Sequence, residues 1–361
     1  MGVDGEHRPM VTWPDRRFLD LVGCEHPIVQ APMAAAGGVE LCLAAIAGGA
    51  LGSLPCALLT PEQGRGQVAD IRGRATGPIN LNFFCHTMPP GVDDSAWRAL
   101  LQPYYDEFDV ESGNGGALRL PFDAAMCALV EELGPEVVSF HFGLPEPALL
   151  DRVKASGAIV IGNATMVEEA HWLEQRGADA IIAQGFEAGG HTGRFLGSDP
   201  AEAMGLFALL PQVVDAVSVP VIAAGGIAEG RGIAAAFTLG ASAVQLGTAY
   251  LHSPETPISD AHRTKLSEGR TVFTNVLTGG LARGVRGRLI DELGPVREEA
   301  PPYPLASEAL APIRAAAEKR GEYGFGPMWA GQSAALGQAL PAAQLTRKLA
   351  ADALAILSGR A

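Results

Sequence analysis

The chain is poor in cysteine, in charge and in aromatic side chains for its length. Its five cysteines are scattered over 361 residues and form no Cys-x-x-Cys pair. The sequence therefore predicts no disulfide framework and no metal site, and a reducing cytoplasm suits it. Charged residues make up 18% of the chain, and the net charge is −14. An acidic chain repels nucleic acid and anionic membranes, so we expect neither as a partner.

Long apolar runs of the kind that cross a membrane are lacking as well. The uncharged stretch from Leu41 to Pro61 contains Pro55 and several glycines, which indicate a helix end, a short strand and a turn. The pair Arg16-Arg17 is not followed by a continuous apolar segment, so no export signal is predicted. We expect a cytoplasmic monomer or homodimer.

Glycine, in contrast, is abundant: the chain has 45, well above the roughly 7% that is usual. From residue 27 onward, short apolar runs alternate with helix-like stretches, as in parallel strands that are covered on both faces. The predicted strands are Ile28–Pro32, Ala50–Leu54, Ile79–Phe84, Val137–His141, Ile159–Ile161, Ala180–Gln184, Val219–Ala224 and Ala243–Leu246. The clearest predicted helices are Gly38–Ala47, Pro61–Arg72, Phe122–Leu133, Glu146–Ser156, Val167–Arg176, Ala201–Val217 and Arg231–Leu239.

Eight strands that alternate with helices predict an α/β fold, the (β/α)8 TIM barrel. The alternative is an open doubly wound sheet, but Met33–Gly38 lacks the Gly-x-Gly-x-x-Gly loop of that fold. Residues 85–121 form a long connection, and we expect it to cover the active site. The barrel and this insertion then span residues 1–255. We expect residues 256–361 to form a smaller helical cap over the barrel mouth, a substrate domain, with a tail partly packed on the barrel.

Glycines follow the seventh and eighth predicted strands, where barrels commonly bind phosphate. Gly225, Gly226 and Gly247 would let backbone N–H groups approach an anion, and Thr248 adds a hydroxyl donor. A helix that begins near Glu229 can direct its positive end at the same anion. Turning of the chain is the simpler explanation for one glycine pair, but two pairs on neighbouring strands favour phosphate binding.

Two histidines are candidates for catalysis. His191 stands among glycines in what we interpret as a flexible loop at the barrel mouth, so it is a candidate general base. His141 lies between Phe140 and Phe142 on the fourth strand, and alternation directs it away from both rings. A satisfied core histidine is an equally good interpretation of His141.

Several other polar, reactive or aromatic side chains lie at the strand ends and in the tail. Asn82 and Gln184 are strand amides that can pair with the edge of a planar heterocycle. Cys85 and Cys127 are predicted to be packing residues, because neither lies in an electropositive loop. Packing is also predicted for three residues of the tail, namely Phe325, Trp329 and Gln332.

Together these segments resemble the nitronate monooxygenase family, formerly called 2-nitropropane dioxygenases, in its histidine-containing class I. The segments that carry the resemblance are Pro27–Met33, Asn82–Phe84, Ser139–Gly143, Ala183–His191, Ala223–Ile227, Gln245–Thr248 and Met328–Gln332. The resemblance implies a barrel that binds FMN, with His191 as catalytic base and His141 as a second active-site histidine. The implied flavin contacts are Ala31, Pro32, Met33, Asn82, Gln184, Gly189, Gly190, Gly225, Gly226, Gln245, Gly247 and Thr248.

The resemblance also implies an activity: oxidation of alkyl nitronates such as propionate 3-nitronate by O2, giving a carbonyl compound and nitrite or nitrate without NAD(P)H. The small-molecule partners would then be a nitronate or nitroalkane and O2. One alternative is a flavin-type NAD(P)H-dependent enoyl-thioester reductase, which resembles the loop Ala188–His191. Another is a barrel that binds a phosphate ligand without catalysis. The long, aromatic insertion predicts a substrate pocket unlike that of simple nitronate-using members.

Overall fold

The computed structural model describes residues 12–113, 118–197 and 199–359. Parts of the predicted domains, namely residues 1–11, 114–117, 198 and 360–361, lie outside the described residues. The strands are β1 (Ile28–Gln30), β2 (Gly52–Pro55), β3 (Ile79–Phe84), β4 (Val137–His141), β5 (Ile159–Ala164), β6 (Ala180–Gln184), β7 (Gly190–His191), β8 (Val221–Ala224), β9 (Ala243–Leu246), β10 (Thr271–Thr274) and β11 (Ala282–Val285).

The α-helices pack around and beyond these strands. They are α1 (Arg17–Val22), α2 (Val39–Ala47), α3 (Pro61–Arg74), α4 (Ser95–Phe108), α5 (Ala124–Leu133), α6 (Pro147–Ala155), α7 (Val167–Gln175), α8 (Leu206–Ala216), α9 (Gly230–Thr238), α10 (Asp260–Glu268), α11 (Arg288–Leu293), α12 (Ala306–Lys319) and α13 (Ala342–Leu357). Within the described ranges, no helix is both long and apolar enough to cross a membrane.

Eight strands form one parallel sheet in the order β1-β9-β8-β6-β5-β4-β3-β2. The sheet closes on itself between β1 and β2, where Gln30 N donates to Leu51 O at 2.9 Å and Leu51 N donates to Ile28 O at 2.9 Å. The predicted (β/α)8 TIM barrel is therefore confirmed. Phe18 and Val22 of α1 are buried in the same apolar cluster as Val29 of β1.

The boundaries of several predicted elements differ from the structure, and two of these differences have clear local reasons. The seventh barrel strand, β8, begins at Val221 and not at Val219, because Pro220 has no N–H to add to the ladder. The helix predicted from Ala201 begins instead at Leu206, after a 3-10 turn at Pro200–Glu202. The side chain of Glu187 accepts hydrogen bonds from Leu206 N and so satisfies the start of α8.

The C-terminal helix α13 does not lie over the barrel mouth. It packs against α2 and α9, and its buried residues Leu345 and Leu349 belong to the core that surrounds the barrel strands. Tyr250 and Thr346 share a hydrogen bond of 2.7 Å between their hydroxyls. Helix α13 thus occupies the place of the eighth barrel helix, and this part of the tail packs on the barrel.

The cap is built from two distant segments of the chain. Helix α4 from the insertion packs against α12 from the tail, and Trp97, Tyr105 and Phe108 share an apolar cluster with Leu310 and Phe325. Tyr105 donates from its hydroxyl to Ala309 O at 2.6 Å. Insertion and tail therefore form one folded unit with a core of its own.

Candidate active site

A cavity of about 920 Å3 opens at the C-terminal ends of the barrel strands, beneath the cap. Loops that follow six of the barrel strands contribute to its wall, together with the tail. All the residues that the sequence nominates as site residues line it: Ala31, Pro32, Met33, Asn82, His141, Gln184, Gly189, Gly190, His191, Gly225, Gly226, Gln245, Gly247 and Thr248. Residues from six strand ends therefore converge on one space.

Backbone forms one part of this wall. Gly225 and Gly226 have φ values of +111° and +70°, which a glycine adopts without strain, and helix α9 begins four residues later. Gly247 is different, because its φ of −109° is open to any residue. A Cβ at Gly247 would lie 3.4 Å from Ala31 Cβ and 3.5 Å from Met33 Sδ, at ordinary contact distance. Glycine at this position keeps the cavity floor free of a side chain.

His191 lies in another part of the wall, and it is not on a flexible loop as the sequence suggested. It belongs to β7, which pairs with β11 so that His191 stands opposite Ala282. The residue is only 8% exposed. Its Nε2 lies 2.9 Å from Thr278 Oγ1, within hydrogen-bonding distance. A strand from the tail thus fixes the backbone of His191, and a tail hydroxyl lies beside its ring.

Gln184 and His141 hold the same loop from the barrel side. Gln184 Nε2 donates to His191 O at 3.0 Å, and its Oε1 accepts from Gly193 N at 2.7 Å. His141 Nε2 lies 3.3 Å from His191 O. Since a carbonyl oxygen only accepts, His141 carries its proton on Nε2. Both side chains therefore position His191, and Gln184 has less capacity left for a ligand than the sequence suggested.

Both histidines are uncharged at neutral pH. Burial lowers the pKa of His141 to about 4, although its bond to His191 O opposes the shift. Burial also lowers the pKa of His191 well below its usual value, and the charge of Arg119 adds to the effect. His191 is therefore present as the neutral imidazole, the form that a general base requires.

Phe142 corrects the expectation from strand alternation. Strand β4 ends at His141, and Phe142 has φ of +67°, a strained value for a residue with a bulky side chain. The rings of His141 and Phe142 are only 4.5 Å apart, and the rings of Phe142 and His191 are 6.2 Å apart. Phe142 therefore packs beside both histidines and does not point away from them.

Comparison with known proteins agrees with this geometry. The family model for nitronate monooxygenase matches residues 16–352. The chain belongs to the nitronate monooxygenase family. It is 39% identical over 346 residues to the nitronate monooxygenase of Paraburkholderia phytofirmans, covering 92% of this chain and 94% of that one.

Two solved structures share the fold of this family member. Nitroalkane oxidase from Streptomyces ansochromogenes superposes with a TM-score of 0.88 at 35% identity, covering 96% of this chain and all of the other. FabK from Thermotoga maritima is more distant, with a TM-score of 0.75 at 29% identity over 96% and 98% of the two chains. The chain is thus an oxidoreductase of the nitronate monooxygenase family with a TIM-barrel fold.

The remaining nominated amides differ in their free hydrogen-bonding capacity. Asn82 Nδ2 donates to Ser139 Oγ at 3.0 Å and to Ser139 O at 3.2 Å, which fixes the amide on the cavity wall. Gln245 Oε1 is buried and accepts no hydrogen bond from the described residues. Thr248 Oγ1 accepts from Gly331 N at 2.8 Å and keeps its own proton to donate. A ligand with both donors and acceptors would satisfy these groups.

The sequence missed the side chains that surround His191 on the cap side. The ring of Tyr303 lies 4.8 Å from that of His191 and 4.8 Å from that of His86, and the ring of Trp329 lies 5.4 Å from His191. Trp329, predicted to be a packing residue, therefore lines the site. Arg119 from the insertion lines the same wall. For Arg119, the available sequence signal was that residues 85–121 directly follow a barrel strand, at the catalytic end of the barrel.

The predictions for the cysteines and for two tail residues can also be compared with the structure. Burial raises the pKa of the Cys85 and Cys127 thiols, as expected for packing residues and not for nucleophiles. Phe325 is buried in the cap core, so its predicted packing role is confirmed. Gln332 contacts the site loop through its backbone, where its N–H donates to Glu187 O at 2.9 Å.

Proposed function

We propose that this chain is an FMN-dependent nitronate monooxygenase that oxidises alkyl nitronates with O2 to a carbonyl compound and nitrite or nitrate, without NAD(P)H. The observation that carries the proposal is the cavity that His191 and the glycine strand ends line together: a buried, neutral His191 is held on a short strand, and Gly225, Gly226 and Gly247 share its wall. Membership of the family supports the reaction class.

The residues present fit FMN on three counts. The cavity of about 920 Å3 lies within the usual range for ligand pockets, roughly 300–1,000 Å3. Gln245 Oε1 is buried without a donor among the described residues, as expected of a group that pairs with a ligand. Neither the φ of Gly247 nor a close protein neighbour requires glycine at this position. The absence of a side chain therefore leaves space in the cavity for a ligand.

These groups divide between the two parts of the cofactor. Gly225, Gly226, Thr248 and the first turn of α9 would hold the phosphate, since backbone N–H groups and a helix N-terminus attract anions. The ring system would be held by Asn82, Gln184, Gln245, Gly189, Gly190 and the backbone of residues 31–33. Bound FMN would supply an acceptor for an electron from the nitronate and a route for that electron to O2.

The protein side chains position and stabilise the substrate. Because Thr278 Oγ1 lies beside Nε2, neutral His191 offers Nδ1 to the substrate: one tautomer donates an N–H to an anionic nitronate, and the other accepts a proton as a base and becomes positively charged. Tyr303 and Trp329 pack around its ring and help to hold the imidazole in place. Cap residues such as Leu310 and Phe325 line the same cavity, and water that they displace would otherwise weaken hydrogen bonds to the substrate.

The proposal is tested on the purified protein with a spectrum and an oxygen electrode. We expect a flavin absorption spectrum and oxygen uptake with propyl 1-nitronate in the absence of nicotinamide. NADPH oxidation with an enoyl thioester, without oxygen uptake, would replace the proposal with the reductase alternative. Absence of a flavin spectrum that added FMN does not restore would favour a phosphate-binding barrel without catalysis.

A further inference from the structure

Arg119 brings a permanent charge to the cavity that the fold itself does not neutralise. The residue stands near the end of the insertion, a few residues before α5, and lines the cavity together with His191 and His141. Burial lowers its pKa, and the other groups that act on its charge are Tyr303 and Arg314. No carboxylate among the described residues forms an ion pair with it.

The neighbouring charges do not supply a counter-ion either. Arg314 also lines the cavity, but its Nε is paired with Glu318 Oε1 at 2.8 Å, so that carboxylate is already engaged. A largely buried guanidinium without an anion is costly, because desolvation is not offset by an ion pair. Arginine stays protonated even when buried, so this cost is not removed by loss of a proton. An anion that enters the cavity would offset it.

The groups that face Arg119 are neutral or positive. Its charge contributes to the lowered pKa of His191 and of His86 and opposes the raised pKa of Tyr303. His141, which also acts on His191, is neutral at pH 7 because burial lowers its pKa to about 4. The part of the cavity around Arg119 and His191 is therefore electropositive, although the whole chain carries a net charge of −14.

We propose that Arg119 is a specificity-determining residue that binds the anionic group of the substrate and selects the nitronate anion over the neutral nitroalkane. The inference rests on the proposed function, because it names the group that recognises the charge of that substrate. A guanidinium presents two parallel N–H donors, which match the two oxygens of a nitronate group as they match a carboxylate. His191 is then left for the carbon end of the same substrate.

The test compares Arg119→Gln and Arg119→Lys with Arg286→Gln, a surface control whose arginine pairs with Asp291. With propyl 1-nitronate and the holoenzyme, we expect Arg119→Gln to raise KM roughly 10- to 100-fold, as for loss of a charged hydrogen-bonded pair. Its kcat should change less than about threefold, since a contact made equally in ground and transition states affects KM alone. Arg119→Lys should recover part of the loss, and Arg286→Gln should match the parent protein.

A second readout does not depend on turnover. Nitrate is a planar anion that, like a nitronate group, carries its oxygens on nitrogen. Sodium nitrate is titrated into each holoenzyme while the flavin absorption and the unfolding temperature are followed. We expect saturable binding to the parent protein and loss of binding in Arg119→Gln at equal flavin content. Nitrate binding and KM that are unchanged in Arg119→Gln would overturn the inference.

The two failures are distinguishable. A parent protein that binds nitrate through Arg119 but consumes no oxygen with a nitronate contradicts the proposed function and leaves the anion site standing. A parent protein that oxidises the nitronate while Arg119→Gln keeps its KM contradicts the inference and leaves the proposed function standing. If Arg119→Gln loses flavin or fails to fold, Arg119→Lys decides: a raised KM with weakened nitrate binding supports the inference, and parent values of both overturn it.

Discussion

The two regions of the cavity are built in different ways. The region proposed to hold the flavin phosphate is formed by backbone at successive strand ends, with Gly225, Gly226 and Gly247 as its main residues. The region around His191 is formed by side chains that come from the barrel, the insertion and the tail, such as Tyr303 and Trp329. One region depends on the absence of side chains and the other on their convergence.

This difference indicates how the site can vary. Strand ends are fixed by the closed hydrogen-bond ladder of the barrel, so a cofactor bound there has a rigid and general support. The cap has its own apolar core around Trp97 and Leu310, and it reaches His191 through β11. We expect the cap to change substrate preference while the barrel keeps the flavin.

The largest expected effect is on turnover at His191. His191→Asn should lower flavin-normalised turnover of propyl 1-nitronate by roughly 10²- to 10³-fold, the usual contribution of a positioned acid or base. Flavin content should stay at the parent level, since the phosphate region is untouched. Oxygen uptake and the flavin-to-protein ratio measure both. His171→Asn, at an exposed position on α7, is the matched control. Parent-level turnover in His191→Asn would refute the role.

A smaller effect is expected on flavin affinity at Gly247. Gly247→Ala adds a Cβ at ordinary contact distance to its protein neighbours, so the fold should accept it, but the methyl group occupies the cavity floor. We expect the Kd of FMN to rise at least about tenfold, which corresponds to a loss of about 1.4 kcal/mol in binding free energy. Equilibrium dialysis of FMN measures it. Gly226→Val is a poorer test, because φ of +70° strains any residue with a branched side chain.

The matched control for that variant is Gly66→Ala in α3. A Cβ there meets nothing within 4 Å, and the residue is exposed. Alanine in a helix interior should raise the free energy of unfolding by about 0.5–1 kcal/mol, as measured by denaturant unfolding, without a change in FMN affinity. If both glycine variants weaken FMN binding alike, the effect at Gly247 is not local to the cavity.

The smallest expected effect is that of pH on the reaction. The pKa of His191 is lowered, so the neutral form that acts in the site persists as the pH falls through 6.5 and is lost only at lower pH. The value of kcat/KM with freshly added propyl 1-nitronate should therefore be flat from pH 8 to 6.5. A decline with a midpoint at 6.5 or above would mean that His191 titrates as an exposed histidine, and that the burial described around it does not persist in solution.

Much of the barrel and of the phosphate region could be predicted from the sequence, because their signals are local. An apolar run followed by glycine predicts a strand and its C-terminal turn, and this gave β3, β4, β6 and β9 at the predicted residues. The pattern also indicates the barrel as a whole, since each of the first seven predicted strands is followed by a predicted helix. Pro220 shows the limit, because a single missing N–H moved a strand boundary by two residues.

The surroundings of His191 could not be predicted in this way, because they depend on contacts between distant residues. Thr278 lies 87 residues further along the chain than His191 and contacts it only because β11 pairs with β7. No periodicity marks a two-residue strand, so the sequence alone indicates a flexible loop at Gly190–His191. Helix α13 has an amphipathic pattern suited to a cap as much as to the barrel wall, and only the gap between α2 and α9 decides its place.

The most direct test of the account measures flavin content and flavin-normalised turnover side by side in Gly247→Ala and His191→Asn. The account predicts opposite defects. Gly247→Ala should lose flavin but keep turnover within about threefold per flavin bound, because a contact with the cofactor alone adds nothing to the reaction step. His191→Asn should keep flavin and lose turnover. Equal loss of both quantities in both variants would contradict the division of the cavity into a backbone-built flavin region and a side-chain-built substrate region.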